Sequence, residues 1–63
     1  MTAAYAENKA LRLAKDHNTY LYRGNEAAAA DYRTALELLA YTAGRQGIQI
    51  NYITDSNGYI TID

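Results

Sequence analysis

The chain has 63 residues, with six basic and seven acidic side chains and a net charge of −1, so no overall field draws it toward nucleic acid or anionic lipid. With no cysteine and one histidine, the disulfides and metals that support the thin cores of small domains are closed or nearly closed routes, which leaves self-association as the expected remedy. No apolar segment approaches the roughly 20 residues of a membrane span and the N-terminus lacks the order of a signal peptide, so a soluble, cytoplasmic setting is expected.

Proline is absent, and Gly24, Gly44, Gly47 and Gly58 alone punctuate the chain. A first helix is predicted over about 3–23, capped by Thr2 at its start and by Gly24 at its end. On a wheel of about 100° per residue, Ala3, Ala10, Leu13, Ala14, His17 and Leu21 share one face. Asn8, Arg12, Lys15, Thr19 and Arg23 lie opposite. Ala6 and Tyr20 widen the apolar arc on one edge and Leu11 and Tyr22 on the other, more than one neighbouring helix would cover.

Asn25 is placed to cap a second helix over about 26–46. Its inner face carries Ala28, Ala29, Tyr32, Ala35, Leu36, Leu39, Ala40 and Ala43 at spacings of three and four. A second seam, Ala27, Ala30, Thr34, Leu38, Tyr41 and Arg45, lies roughly 140° to 180° around the wheel from Leu36. Leucine and tyrosine at the centre of that seam predict a partner. The stretch RGNEAAAADYRTALELL, Arg23 to Leu39, resembles the second half of a tetratricopeptide repeat. A single unit cannot build the stacked core of such arrays, the upstream helix lacks the expected Leu-Gly pair, and strands follow, so that architecture is not expected here.

From Ile48 the period changes to two, predicting strands over about 48–54 and 59–63. A two-residue loop at Asn57-Gly58 would set Ile60 and Ile62 on the face of Gln49 and Asn51, away from Ile48, Ile50 and Tyr52. A three-residue loop, Ser56-Asn57-Gly58, pairs Asp55 with Tyr59, Thr54 with Ile60 and Tyr52 with Ile62, and gathers the isoleucines except Ile53 on one side. Asp55 then starts a type I turn that closes on a left-handed glycine bulge. The same run matches the middle of a calcium loop at Asp55, Asn57, Gly58 and Ile60. Ile53 stands where the first aspartate belongs and no closing glutamate follows, so a turn is expected and not a metal site.

Candidate chemistry is sparse. His17, with Asp16, Glu7 and Asn18 near it on the wheel, can be drawn as a catalytic or metal residue, but no cysteine or second histidine completes a usual transition-metal set, and a hydrogen-bonded core or interface histidine is the expectation. Ser56 sits in a turn, and Gly44-Arg45-Gln46-Gly47 reads as a helix end, not a phosphate loop. Arg12, Lys15 and Arg23 form a modest basic strip that could touch an acidic partner. The seven tyrosines, Tyr5, Tyr20, Tyr22, Tyr32, Tyr41, Tyr52 and Tyr59, suit half-exposed recognition surfaces.

The predicted fold is therefore α+β: an antiparallel two-helix hairpin followed by a C-terminal two-stranded β-hairpin (α-α-β-β). It is expected to form a homodimer or higher assembly through a strand edge, Ile48 to Tyr52 or Tyr59 to Asp63, or through the Leu38/Tyr41 seam. The expected function is a non-enzymatic protein-interaction module that uses no cofactor or metal, with Leu38, Tyr41, Thr34, Ala30, Tyr20, Tyr22 and Tyr59 at interfaces. A phage or mobile-element inhibitor or adaptor is the kind of protein this size suits. The alternative is a small-ligand or nucleotide-binding oligomer whose inter-subunit pocket uses His17 and Arg23 with Tyr20 and Tyr22.

Overall fold

The structure is a computed structural model that describes all 63 residues, Met1 to Asp63. Two helices, α1 (Ala3–Tyr22) and α2 (Glu26–Arg45), precede two short strands, β1 (Tyr52–Thr54) and β2 (Ile60–Ile62), which form an antiparallel sheet. This is the α-α-β-β arrangement expected from the sequence.

Local chemistry sets the helix ends. The Thr2 hydroxyl accepts from the Tyr5 N–H at 3.1 Å, and the Asn25 side chain accepts from the Ala28 N–H at 3.1 Å, each satisfying a first-turn donor that has no partner inside the helix. At the end of α1, Gly24 takes φ +79°. Its N–H donates to the Leu21 carbonyl at 3.0 Å, and the Asn25 N–H donates to the Tyr20 carbonyl at 2.9 Å. That pair of reversed bonds closes the helix in a Schellman motif. Asn25 thus ends one helix with its backbone and starts the next with its side chain, which makes the connection short. The same pair recurs after α2, from Gly47 to Gly44 and from Ile48 to Ala43.

The seam between the helices is built from small residues. Ala6, Ala10 and Ala14 of α1 and Ala29 and Ala43 of α2 are buried, so little side-chain volume stands between the two backbones. Leu36 and Leu39 fill the space beside them, and Ile60 from β2 completes a cluster with Ala10 and Ala14. Leu13, Ile50, Tyr52 and Ile62 pack against that cluster. Only nine residues are buried, and three of them are large aliphatics, so the core is thin for the apolar content of the chain.

The hairpin has the predicted register: Tyr52 faces Ile62, Ile53 faces Thr61 and Thr54 faces Ile60. Its loop is the predicted three-residue one. The Gly58 N–H donates to the Asp55 carbonyl at 3.0 Å, the Asp55 N–H donates to the Tyr59 carbonyl at 2.9 Å, and Gly58 sits at φ +91°. One carboxylate oxygen of Asp55 accepts from both the Asn57 and Tyr59 N–H groups, at 2.8 and 3.0 Å. The aspartate is a turn organiser, as the loop chemistry requires.

The strands are shorter than expected. Ile48 to Asn51 lie outside β1, and Tyr59 and Asp63 flank β2. The last cross-strand bond runs from the Asp63 N–H to the Asn51 carbonyl at 2.9 Å, and Ile48, Gln49 and Ile50 do not pair with β2. Ile48 and Ile50 keep the inward alternation without a ladder, both half-buried.

Candidate functional site

The polar centre of the molecule lies where α1, α2 and the hairpin meet. Antiparallel registry alternates the direction of backbone groups, and the bonds at Asp55–Tyr59 and Asn51–Asp63 place Ile60 and Ile62 at positions that point N–H and C=O away from β1. At Ile60 both groups are taken by one side chain. Asn18 Nδ2 donates to the Ile60 carbonyl and Asn18 Oδ1 accepts from the Ile60 N–H, each at 2.8 Å. The amide of a helix residue thus replaces a neighbouring strand.

His17 extends this contact. It is 2 % exposed, and its Nδ1 lies 2.9 Å from Asn18 Oδ1. Because Oδ1 can only accept, Nδ1 carries the proton and Nε2 is left as an acceptor. Arg33 of α2 supplies the donor, with Nη2 at 3.4 Å from Nε2 and 3.2 Å from the Gly58 carbonyl, while its Nη1 reaches the Thr54 hydroxyl at 3.4 Å. No buried side-chain nitrogen or oxygen lacks a partner. The structure contains a buried, hydrogen-bonded histidine whose two ring nitrogens both have partners inside the chain, while Arg23 is exposed at the end of α1. No group of three or more histidine, cysteine, aspartate or glutamate side chains is placed to hold a metal ion.

Two surfaces remain open. The first is the outer face of α2, where Ala30, Thr34, Leu38 and Tyr41 are all exposed, Leu38 by 63 % and Tyr41 by 65 %. The Arg45 guanidinium lies 6.0 Å from the Tyr41 ring centre and covers one side of it. The second is an open groove of about 750 Å3 between α1 and the outer edge of β2, lined by Leu11, Lys15, Tyr22, Arg23 and Ile62 around Asn18. Tyr22 is 82 % exposed there. His17 is not part of this groove.

The other tyrosines divide. Tyr20 stacks on Tyr32 across the helix pair, ring centres 5.5 Å apart and planes 12° from parallel, with the Arg23 guanidinium 6.0 Å from the Tyr20 centroid. The Tyr32 phenol is held above its ordinary value, first by Tyr20, whose ionisation would set a like charge beside it, then by loss of surrounding water and by Asp16. Tyr20 and Tyr59 are half-buried. Of the two strand edges expected to pair with another copy, β2 is interrupted at Ile60 by Asn18.

Arg33 has no place in the sequence reading, and Asn18 entered it only as a neighbour of His17. The available signal was His17-Asn18 itself, two poor helix formers in the middle of a proline-free helix. Comparisons with protein-family models, curated proteins and solved structures find no match to this chain. No helix is long and apolar enough to cross a membrane.

Proposed function

We propose that the protein is a non-enzymatic, self-associating interaction module that binds through the outer face of α2. The observation that carries this reading is the pairing of Leu38 and Tyr41, three residues apart on one helix face and both mostly exposed. A leucine and a tyrosine side by side on a face of small residues, Ala30 and Thr34, form a patch that another helix can approach closely. A second copy offers the same patch, and a two-fold arrangement sets each Leu38/Tyr41 pair against its equivalent. The thin core supports the reading, since association adds the apolar burial that 63 residues cannot supply alone.

The chemistry left inside the fold favours binding over catalysis. The single histidine is engaged at both nitrogens by Asn18 and Arg33, and the polar network holds three elements together.

The test is solution mass by light scattering over a dilution series, for the wild type and for Leu38→Glu/Tyr41→Glu. An oligomer that the double substitution dissociates, with helix content retained, supports the α2 face as the interface. A wild type that is monomeric throughout overturns self-association.

A further inference from the structure

We propose that the groove between α1 and β2 is a second binding site, which receives an extended peptide segment carrying an acidic side chain beside an apolar one. This rests on the reading of the chain as a protein-binding module but uses a different face.

The argument starts at the backbone of β2. The register turns the N–H and C=O of both Ile60 and Ile62 outward. Asn18 occupies those of Ile60. Those of Ile62 open on the groove, where one residue of an extended chain can meet them as a strand would. Asn18 limits such a ladder to that one position, so the rest of the recognition falls to side chains.

The side chains are sorted along the groove. β2 runs antiparallel to α1, because Gly58 lies against Leu21, Ile60 is held by Asn18, and Ile62 and Asp63 line one cleft with Ala3 and Glu7. The Ile62 end of the groove is therefore apolar, walled by Leu11, 48 % exposed. The other end carries Tyr22 and Arg23, Lys15 stands between the two ends one turn from Leu11, and both charged residues lining the groove are cationic. The nearest acids are placed elsewhere: Asp16 acts on Tyr32 at the helix pair, and Glu7 and Asp63 lie beyond the Ile62 end. A peptide would thus set its apolar side chain over Leu11 and Ile62 and its carboxylate between Lys15 and Arg23, with Tyr22 covering it. Two members of the basic strip seen in the sequence, Lys15 and Arg23, thereby lie beside the edge of β2.

The experiment uses fluorescence anisotropy with a labelled eight-residue peptide alternating valine and aspartate. It is read against the same peptide with lysine in place of aspartate, on the full-length wild type and on Leu38→Glu/Tyr41→Glu, which lacks the α2 patch. Saturable binding of the acidic peptide to both proteins, weakened at least about fivefold by Lys15→Glu/Arg23→Glu and weakened again by added salt, supports the site. A synthetic chain with an N-methylated Ile62 removes the one backbone donor and should weaken binding by a similar factor. Equal binding of the basic peptide, indifference to Lys15→Glu/Arg23→Glu, or equally strong competition by decanoate, a simple amphiphile with no backbone to pair, would overturn it. Loss of binding only in the Leu38→Glu/Tyr41→Glu protein would also overturn it, by moving the peptide to the α2 face. The oligomer measurement is unaffected by any of these results, so the two readings fail separately.

Discussion

Asn18 and Ile60 are forty-two residues apart in sequence and joined by two hydrogen bonds of 2.8 Å, amide to N–H and amide to C=O. Through that contact a two-stranded hairpin, marginal alone, is anchored to a helix. The same oxygen of Asn18 holds His17, and His17 holds Arg33, so one side chain organises polar groups from both helices and the sheet.

Asn18→Ala should lower stability by roughly 2–4 kcal/mol, because the Ile60 N–H, the Ile60 carbonyl and the His17 Nδ1–H all lose their partner in partly buried surroundings. Urea denaturation gives the magnitude, and amide exchange should speed up at Ile60 more than in either helix. A loss below about 0.5 kcal/mol would mean that water replaces the amide without cost.

Gly58→Ala should cost more than Gly24→Ala. Both positions have φ well above zero, a conformation that costs an L-residue roughly 1–2 kcal/mol. A methyl group at Gly24 meets nothing within 4 Å, whereas at Gly58 it lands 3.3 Å from Leu21 Cδ2. Thermal melts of the two variants check the order, and equal destabilisation would show that Leu21 moves aside freely.

Leu36→Ala and Leu38→Ala remove the same atoms from opposite sides of α2. Leu36 is 1 % exposed and lies in the central cluster, so its truncation should cost about 2–5 kcal/mol, enough to unfold a domain of this size. Leu38→Ala should stay within about 0.5 kcal/mol at high dilution. A cost that grows with protein concentration would mark Leu38 as an interface residue.

Stability should fall as pH rises above the ordinary tyrosine value of 10.0. Tyr32 is held above that value in the fold, so the unfolded chain releases this proton first and unfolding is favoured as the solution becomes more alkaline. Its contribution is present in full at neutral pH. Urea midpoints measured below and above pH 10, for the wild type and Tyr32→Phe, isolate the effect; an unchanged slope in Tyr32→Phe would assign it to other groups.

The sequence by itself determined the elements and the hairpin register. Helix spacing, the caps Thr2 and Asn25, and the Asp55 to Gly58 turn are local, and the period-two pattern at Ile50, Tyr52, Ile60 and Ile62 admits one loop length, because a one-residue slip moves the isoleucines to the other face. The exposed seam at Leu38 and Tyr41 was legible for the same reason: a helix wheel needs no partner to be drawn. Only the tertiary structure decided that Asn18 would meet Ile60 and that Arg33 would reach His17. Those outcomes depend on how the hairpin sits on the helix pair, a placement set by Ile60 entering the alanine and leucine cluster, and no spacing along the chain encodes it. His17 shows the division most clearly: its inward face was written in the helix period, while the partners of its two nitrogens are Asn18 beside it and Arg33, sixteen residues away, which folding brought to the ring.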